Sequence, residues 1–125
     1  MRFVRLTGFR ISLAVVGALL LMGGLSEGHA VLKEAQPAAN STVAGPDVPI
    51  RLQYNVRIDG TLSKLQLLNP DSTSHDLTIE KQTSPDTLTS NALGLKPGEY
   101  RIRWQVLAAD GHITRGEIPF TVSGS

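Results

Sequence analysis

Histidine is scarce in this chain, and His29, His75 and His112 carry most of the chemistry its side chains can offer. Cysteine is absent, and the two methionines are Met1 and Met22. No disulfide, thiolate metal site, iron–sulfur cluster or cysteine nucleophile can form. His112 closes the run Ala108-Ala109-Asp110-Gly111-His112. Gly111 suits a tight bend, because positive φ costs glycine little. Asp110 and His112 are two apart, so on extended backbone they point to the same side. One carboxylate oxygen and one imidazole nitrogen can then converge on a single point. An Asx-type turn ending in a surface histidine fits the same residues. His75 lies in the polar run Asp71-Ser72-Thr73-Ser74-His75-Asp76, which reads as a solvated turn between strands. Serine and threonine are common, but none sits in a nucleophile-elbow pattern, so hydrolase chemistry has no foothold.

The chemistry open to His29 depends on where the chain is cut. Arg2, Arg5 and Arg10 precede a run free of charge from Ile11 to Leu25. A basic start, an apolar middle and a small-residue exit are the parts of a secretory signal peptide. The apolar run is about 15 residues, short of the ~20 that span a bilayer. We therefore expect residues 1–28 to be a cleaved signal peptide, with an uncleaved membrane anchor as the alternative. Ser26-Glu27-Gly28 places small residues for a cut that leaves His29 first; Gly28-His29-Ala30 equally allows a cut that leaves Val31 first. In the second case His29 is discarded. In the first it offers its α-amine and its ring Nδ1, which close a six-membered chelate on a metal. An α-amine has a reference pKa near ~8, below a lysine's, so a metal can displace its proton near neutral pH. With the imidazole of His112 three nitrogens are available, and Asp110 adds an oxygen and a negative charge. Tetragonal N,O coordination is what Cu(II) prefers. With residues 1–28 removed, no methionine is left to build a thioether Cu(I) site.

These groups need a scaffold to bring them together, and the rest of the sequence writes one in short strands. Glu99 to Leu107 alternates Tyr100, Ile102, Trp104 and Val106 against Arg101, Arg103 and Gln105. That is the period of two of a half-buried strand. Val48 to Val56 repeats it with Ile50, Leu52, Tyr54 and Val56. Leu62 to Leu68, Asp76 to Lys81, Thr87 to Leu93 and Glu117 to Val122 follow, and His29 to Glu34 makes seven. Prolines at 37, 46, 49, 70, 85, 97 and 119 leave no window for a long helix. The fold class expected is all-β: a seven-stranded antiparallel Greek-key sandwich in one domain, residues 29–125. Arg101, Arg103 and Arg115 read as its solvated outer face. Glu117 is placed to accept from an imidazole N–H near the Asp-Gly-His turn.

Three segments resemble the CopC family of periplasmic copper-binding proteins. They are His29-Ala30-Val31-Leu32-Lys33 running into Gln36-Pro37-Ala38-Ala39-Asn40-Ser41-Thr42-Val43, then Leu95 through Val106, then Ala109-Asp110-Gly111-His112 with Gly116 through Val122. The resemblance implies a cupredoxin- or immunoglobulin-like sandwich. It also implies a Cu(II) site made by the N-terminal histidine, the Asp of Asp-Gly-His and its His, which fall on His29, Asp110 and His112. It favours a cut before His29, because the family's site uses the free amine. Two departures stand out. Tyr54-Asn55-Val56-Arg57 replaces the family's Phe-Asn-Glu-Pro type of sequence, and the methionine-rich Cu(I) loop of some members is missing. The chain is thus similar to members with a single Cu(II) site.

Composition narrows the function classes. The formal net charge is +1 for the whole chain. Removing residues 1–28 leaves nine basic and ten acidic residues, so nucleic acid is not an expected partner. Aromatic residues are 5%, too few for a base- or sugar-stacking surface. The expectation is a binding protein in the periplasm, not an enzyme, holding one Cu(II) per chain for copper homeostasis or resistance. It would not insert in the membrane once cleaved. A CopD-like inner-membrane copper transport protein is the partner the resemblance implies. A metal-free interaction module is the alternative, and a histidine-brace copper oxygenase a more distant one.

Overall fold

Where apolar and polar residues alternate, the chain extends and buries one face. The computed structural model describes residues 29–124, so the expected signal segment lies outside the described residues. Eight strands follow in order: β1 Leu32–Gln36, β2 Ser41–Ala44, β3 Val48–Tyr54, β4 Lys64–Leu68, β5 Ser74–Leu77, β6 Thr87–Ala92, β7 Gly98–Leu107 and β8 Ile113–Ser123. They form a three-stranded sheet, β1-β3-β6, and a five-stranded sheet, β2-β8-β7-β4-β5. Ile50, Leu52 and Tyr54 of β3 and Leu88 of β6 face Leu65, Leu67, Ile102, Val106, Ile118 and Phe120 across the sandwich, all nearly inaccessible to solvent. Dehydration of these side chains is the main force holding the sheets together.

The count of seven strands needs correction to eight. The strand missed is β2, which carries a single sizeable apolar residue, Val43, between Asn40 and Gly45-Pro46. Its partner defines it: Ser41 to Ala44 pair in parallel with Phe120 to Ser123. The sandwich is therefore not wholly antiparallel. Strand boundaries also move, most of all in the last strand, which begins at Ile113 and not at Glu117. The first strand begins at Leu32 and not at His29, and the fifth is Ser74–Leu77, so His75 stands in an exposed edge strand opposite Leu67 and not in a turn.

The β7–β8 hairpin is the spine of the fold, paired from Gly98↔Val122 to Leu107↔Ile113. Trp104 lies directly opposite Gly116 in that register. A Cβ on Gly116 would meet the indole carbons at 2.3 and 2.5 Å, so the ring occupies the space a side chain would need. The indole also meets the Tyr54 ring edge-to-face across the sandwich, with centroids 5.3 Å apart. Gly116→Ala is expected to destabilise the apoprotein by about 1–3 kcal/mol through overpacking. That corresponds to a fall in melting temperature on the order of 5–15 °C, read by thermal unfolding. Burial pushes the Tyr54 phenol above its usual range, so it stays protonated.

Candidate metal centre

At one end of the hairpin, five residues join β7 to β8. Ala108 N–H donates to the His112 carbonyl at 2.9 Å, and Gly111 N–H to the Ala108 carbonyl at 2.9 Å. Gly111 takes φ +89°, a conformation that side chains other than glycine's resist. The loop is also held from outside: Ala109 N–H donates to Arg57 carbonyl at 3.0 Å, and buried Ala108 bridges to Ile58. Asp110 and His112 thus stand on a braced turn.

Within the turn, both oxygens of Asp110 engage His112. Oδ1 accepts the His112 backbone N–H at 3.0 Å, and Oδ2 lies 2.9 Å from His112 Nδ1. The carboxylate is held below the usual carboxylate range, first by that backbone N–H and then by the imidazole. An ionised carboxylate can only accept, so Nδ1 carries the proton and Nε2 presents its lone pair. The Asx-type turn and the converging pair are therefore the same structure, formed on tight backbone and not on an extended strand.

His29 reaches this loop from the other end of the described chain. Its ring centroid is 4.5 Å from that of His112, with the planes at 82°. One ligand atom each from His29, Asp110 and His112 lies within 4.8 Å of the others, and all three residues are exposed. Ala30, buried behind His29, and Leu32, paired with Tyr54, hold the segment that follows. Asn55 also bonds this segment, a contact that the sequence reading does not reach because its partner lies 24 residues away. His75 is outside the cluster.

Glu117 does not serve an imidazole. It sits opposite Arg103 in the hairpin and accepts from Arg101 Nη1 and Arg103 Nε, each at 3.2 Å. Arg115 Nε donates to Gln105 Oε1 at 2.8 Å. The arginine face is exposed, as its alternation requires, and its charge is partly answered on the same sheet. The carboxylate that orients the imidazole is Asp110, two residues away in sequence.

Residues 32–123 match the family described as the CopC domain. The crystal structure of CopC from Methylosinus trichosporium OB3b is similar at TM-score 0.72 and 28% identity, covering 77% of this chain and 95% of that one. PcoC, a methionine-rich copper resistance protein from Escherichia coli, is similar at TM-score 0.65 and 25% identity, covering 76% and 99%. Among curated relatives, protein YobA of Escherichia coli strain K12 is 30% identical over 97 residues, 75% of this chain and 78% of that protein.

Proposed function

The chain belongs to the CopC family, and from that premise we propose that it is a periplasmic Cu(II)-binding protein that sequesters copper or hands it on. A copper-related function follows from the family and from relatives described as copper resistance proteins. The finer reading is that residues 1–28 are removed on export and His29 becomes the first residue. Its α-amine and Nδ1, with His112 Nε2, then surround one Cu(II) as a histidine brace, and Asp110 adds charge and an oxygen lone pair. The observation that carries this reading is the convergence of His29, Asp110 and His112 from the two ends of the sequence.

The donor set suits the oxidation state. Nitrogen and carboxylate oxygen favour Cu(II), whereas no methionine follows residue 22 to offer Cu(I) a thioether. In this respect the chain differs from its methionine-rich relative PcoC. Asp110 acts on the ion in two ways. In the free protein its bond to Nδ1 leaves Nε2 open to the metal, and as a ligand it exchanges that bond for the cation and brings its negative charge there. The exposed site leaves the ion accessible to a second protein, which suits delivery to a CopD-like membrane transporter.

Isothermal titration of the form beginning at His29 is expected to give one Cu(II) per chain. Absence of stoichiometric binding would overturn the proposal. Affinity should also fall on acidification, because protons compete for the amine and both imidazoles. Asp110 works differently: its lowered carboxyl pKa means that the turn it stabilises persists above the ordinary carboxylate range and is lost only as pH falls through the lowered value. Loss of affinity between about pH 7 and 5 therefore comes from the nitrogens. Chelator competition across that range checks this, and a flat profile would contradict nitrogen ligation.

A further inference from the structure

We infer that Asn55 is the positioning residue for the metal-binding terminus, an assignment that rests on the Cu(II) reading of His29. Asn55 follows the last residue of β3, and it grips the incoming chain with two groups at once. Its side-chain Oδ1 accepts the Val31 N–H at 2.7 Å, and its own backbone N–H donates to the Val31 carbonyl at 3.0 Å. Val31 itself is exposed, with 57% of its surface accessible, so its side chain does little to hold the segment. The backbone clamp must do so.

The position of this clamp matters more than its strength. Two residues of extended chain span at most about 7 Å, and three about 10–11 Å. Pinning Val31 confines His29 to the shorter leash. Without the side-chain bond, the Asn55 backbone N–H still holds the Val31 carbonyl, so the last fixed point moves from the Val31 nitrogen to its carbonyl, just short of Leu32 opposite Tyr54. The leash lengthens by part of a residue, and the volume open to the histidine grows about twofold, as the cube of the leash length. Ala30 is buried between His29 and Val31, but its single methyl is a weak hold. The Asn55 amide thereby keeps His29 within reach of His112 before the ion arrives, and ordering already present in the free protein is not lost on binding.

The test compares Asn55→Ala and Asn55→Asp with the unmodified chain, each beginning at His29, at high ionic strength so that the charge of the aspartate is screened. Asn55→Ala is expected to speed amide hydrogen exchange at Val31 and to raise the rate of Cu(II) release to a chelator about three- to tenfold. The stoichiometry and the electron paramagnetic resonance spectrum of bound Cu(II) should not change, because no ligand is lost. Asn55→Asp keeps the acceptor and should restore both exchange protection and release rate. Copper release from Asn55→Ala at the unmodified rate would overturn the inference, as would failure of Asn55→Asp to slow release while protecting Val31. Failure of the unmodified chain to bind one Cu(II) is a separate outcome, and it would overturn the Cu(II) reading together with this one.

Discussion

A form of the protein that begins at His29 with its α-amine acetylated is expected to bind Cu(II) about 10²–10⁴-fold more weakly than the form with that amine free. The reason is chemical. An amide nitrogen donates its lone pair to the neighbouring carbonyl, so acetylation removes one ligand and opens the chelate ring. The ring Nδ1 of His29 must then bind without the neighbour that makes its approach intramolecular. The acetylated His29 form, the free His29 form and a form beginning at Val31 separate the cases. The first keeps both imidazoles without the amine, and the last has neither the amine nor the imidazole of His29. Competition against a chelator reads the affinities, and the N-terminal mass of the exported protein tells which form the cell makes. Equal affinity for the acetylated and free His29 forms would remove the amine from the site. An exported chain beginning at Val31 would favour the metal-free module.

The second large effect is expected from His112→Ala. This change removes the nitrogen supplied by the far loop and leaves Asp110 without the imidazole that it holds at 2.9 Å. Two nitrogens of one residue cannot complete a tetragonal set, and affinity should fall about 10²-fold or more. The loop is exposed and its backbone bonds survive, so stability should change by only about 0.5 kcal/mol. His75→Ala serves as the control, since His75 stands on β5 outside the cluster and should leave copper binding unchanged. Unmoved tight binding in His112→Ala, with unfolding temperature preserved, would refute the proposed set of ligands.

What the linear sequence hides in this protein has one physical origin. Strands β3 and β7 were legible because their inward positions, Ile50, Leu52 and Tyr54 in one and Tyr100, Ile102, Trp104 and Val106 in the other, are large and alternate strictly. Strand β2 was not, because its identity comes from pairing with β8, some 80 residues away in sequence. Glu117 looked available to an imidazole until the register put Arg103 opposite it and Arg101 beside it. Asn55 gave no signal because nothing in Tyr54-Asn55-Val56-Arg57 says that the Val31 backbone runs alongside.

Residue type and local spacing were sufficient for the all-β class, the inventory of copper-capable donors, the absence of sulfur ligands beyond residue 22 and the bend at Gly111. Each of these depends on a side chain or on a few consecutive dihedrals. Tertiary structure alone decided that His29 meets His112, that Asp110 engages His112 with one oxygen on its backbone N–H and the other on its ring, and which acidic residue orients that imidazole. Those outcomes depend on the path by which a sandwich returns its first strand to the end of its last hairpin. A linear pattern records what each strand buries, but not which strand lies beside it.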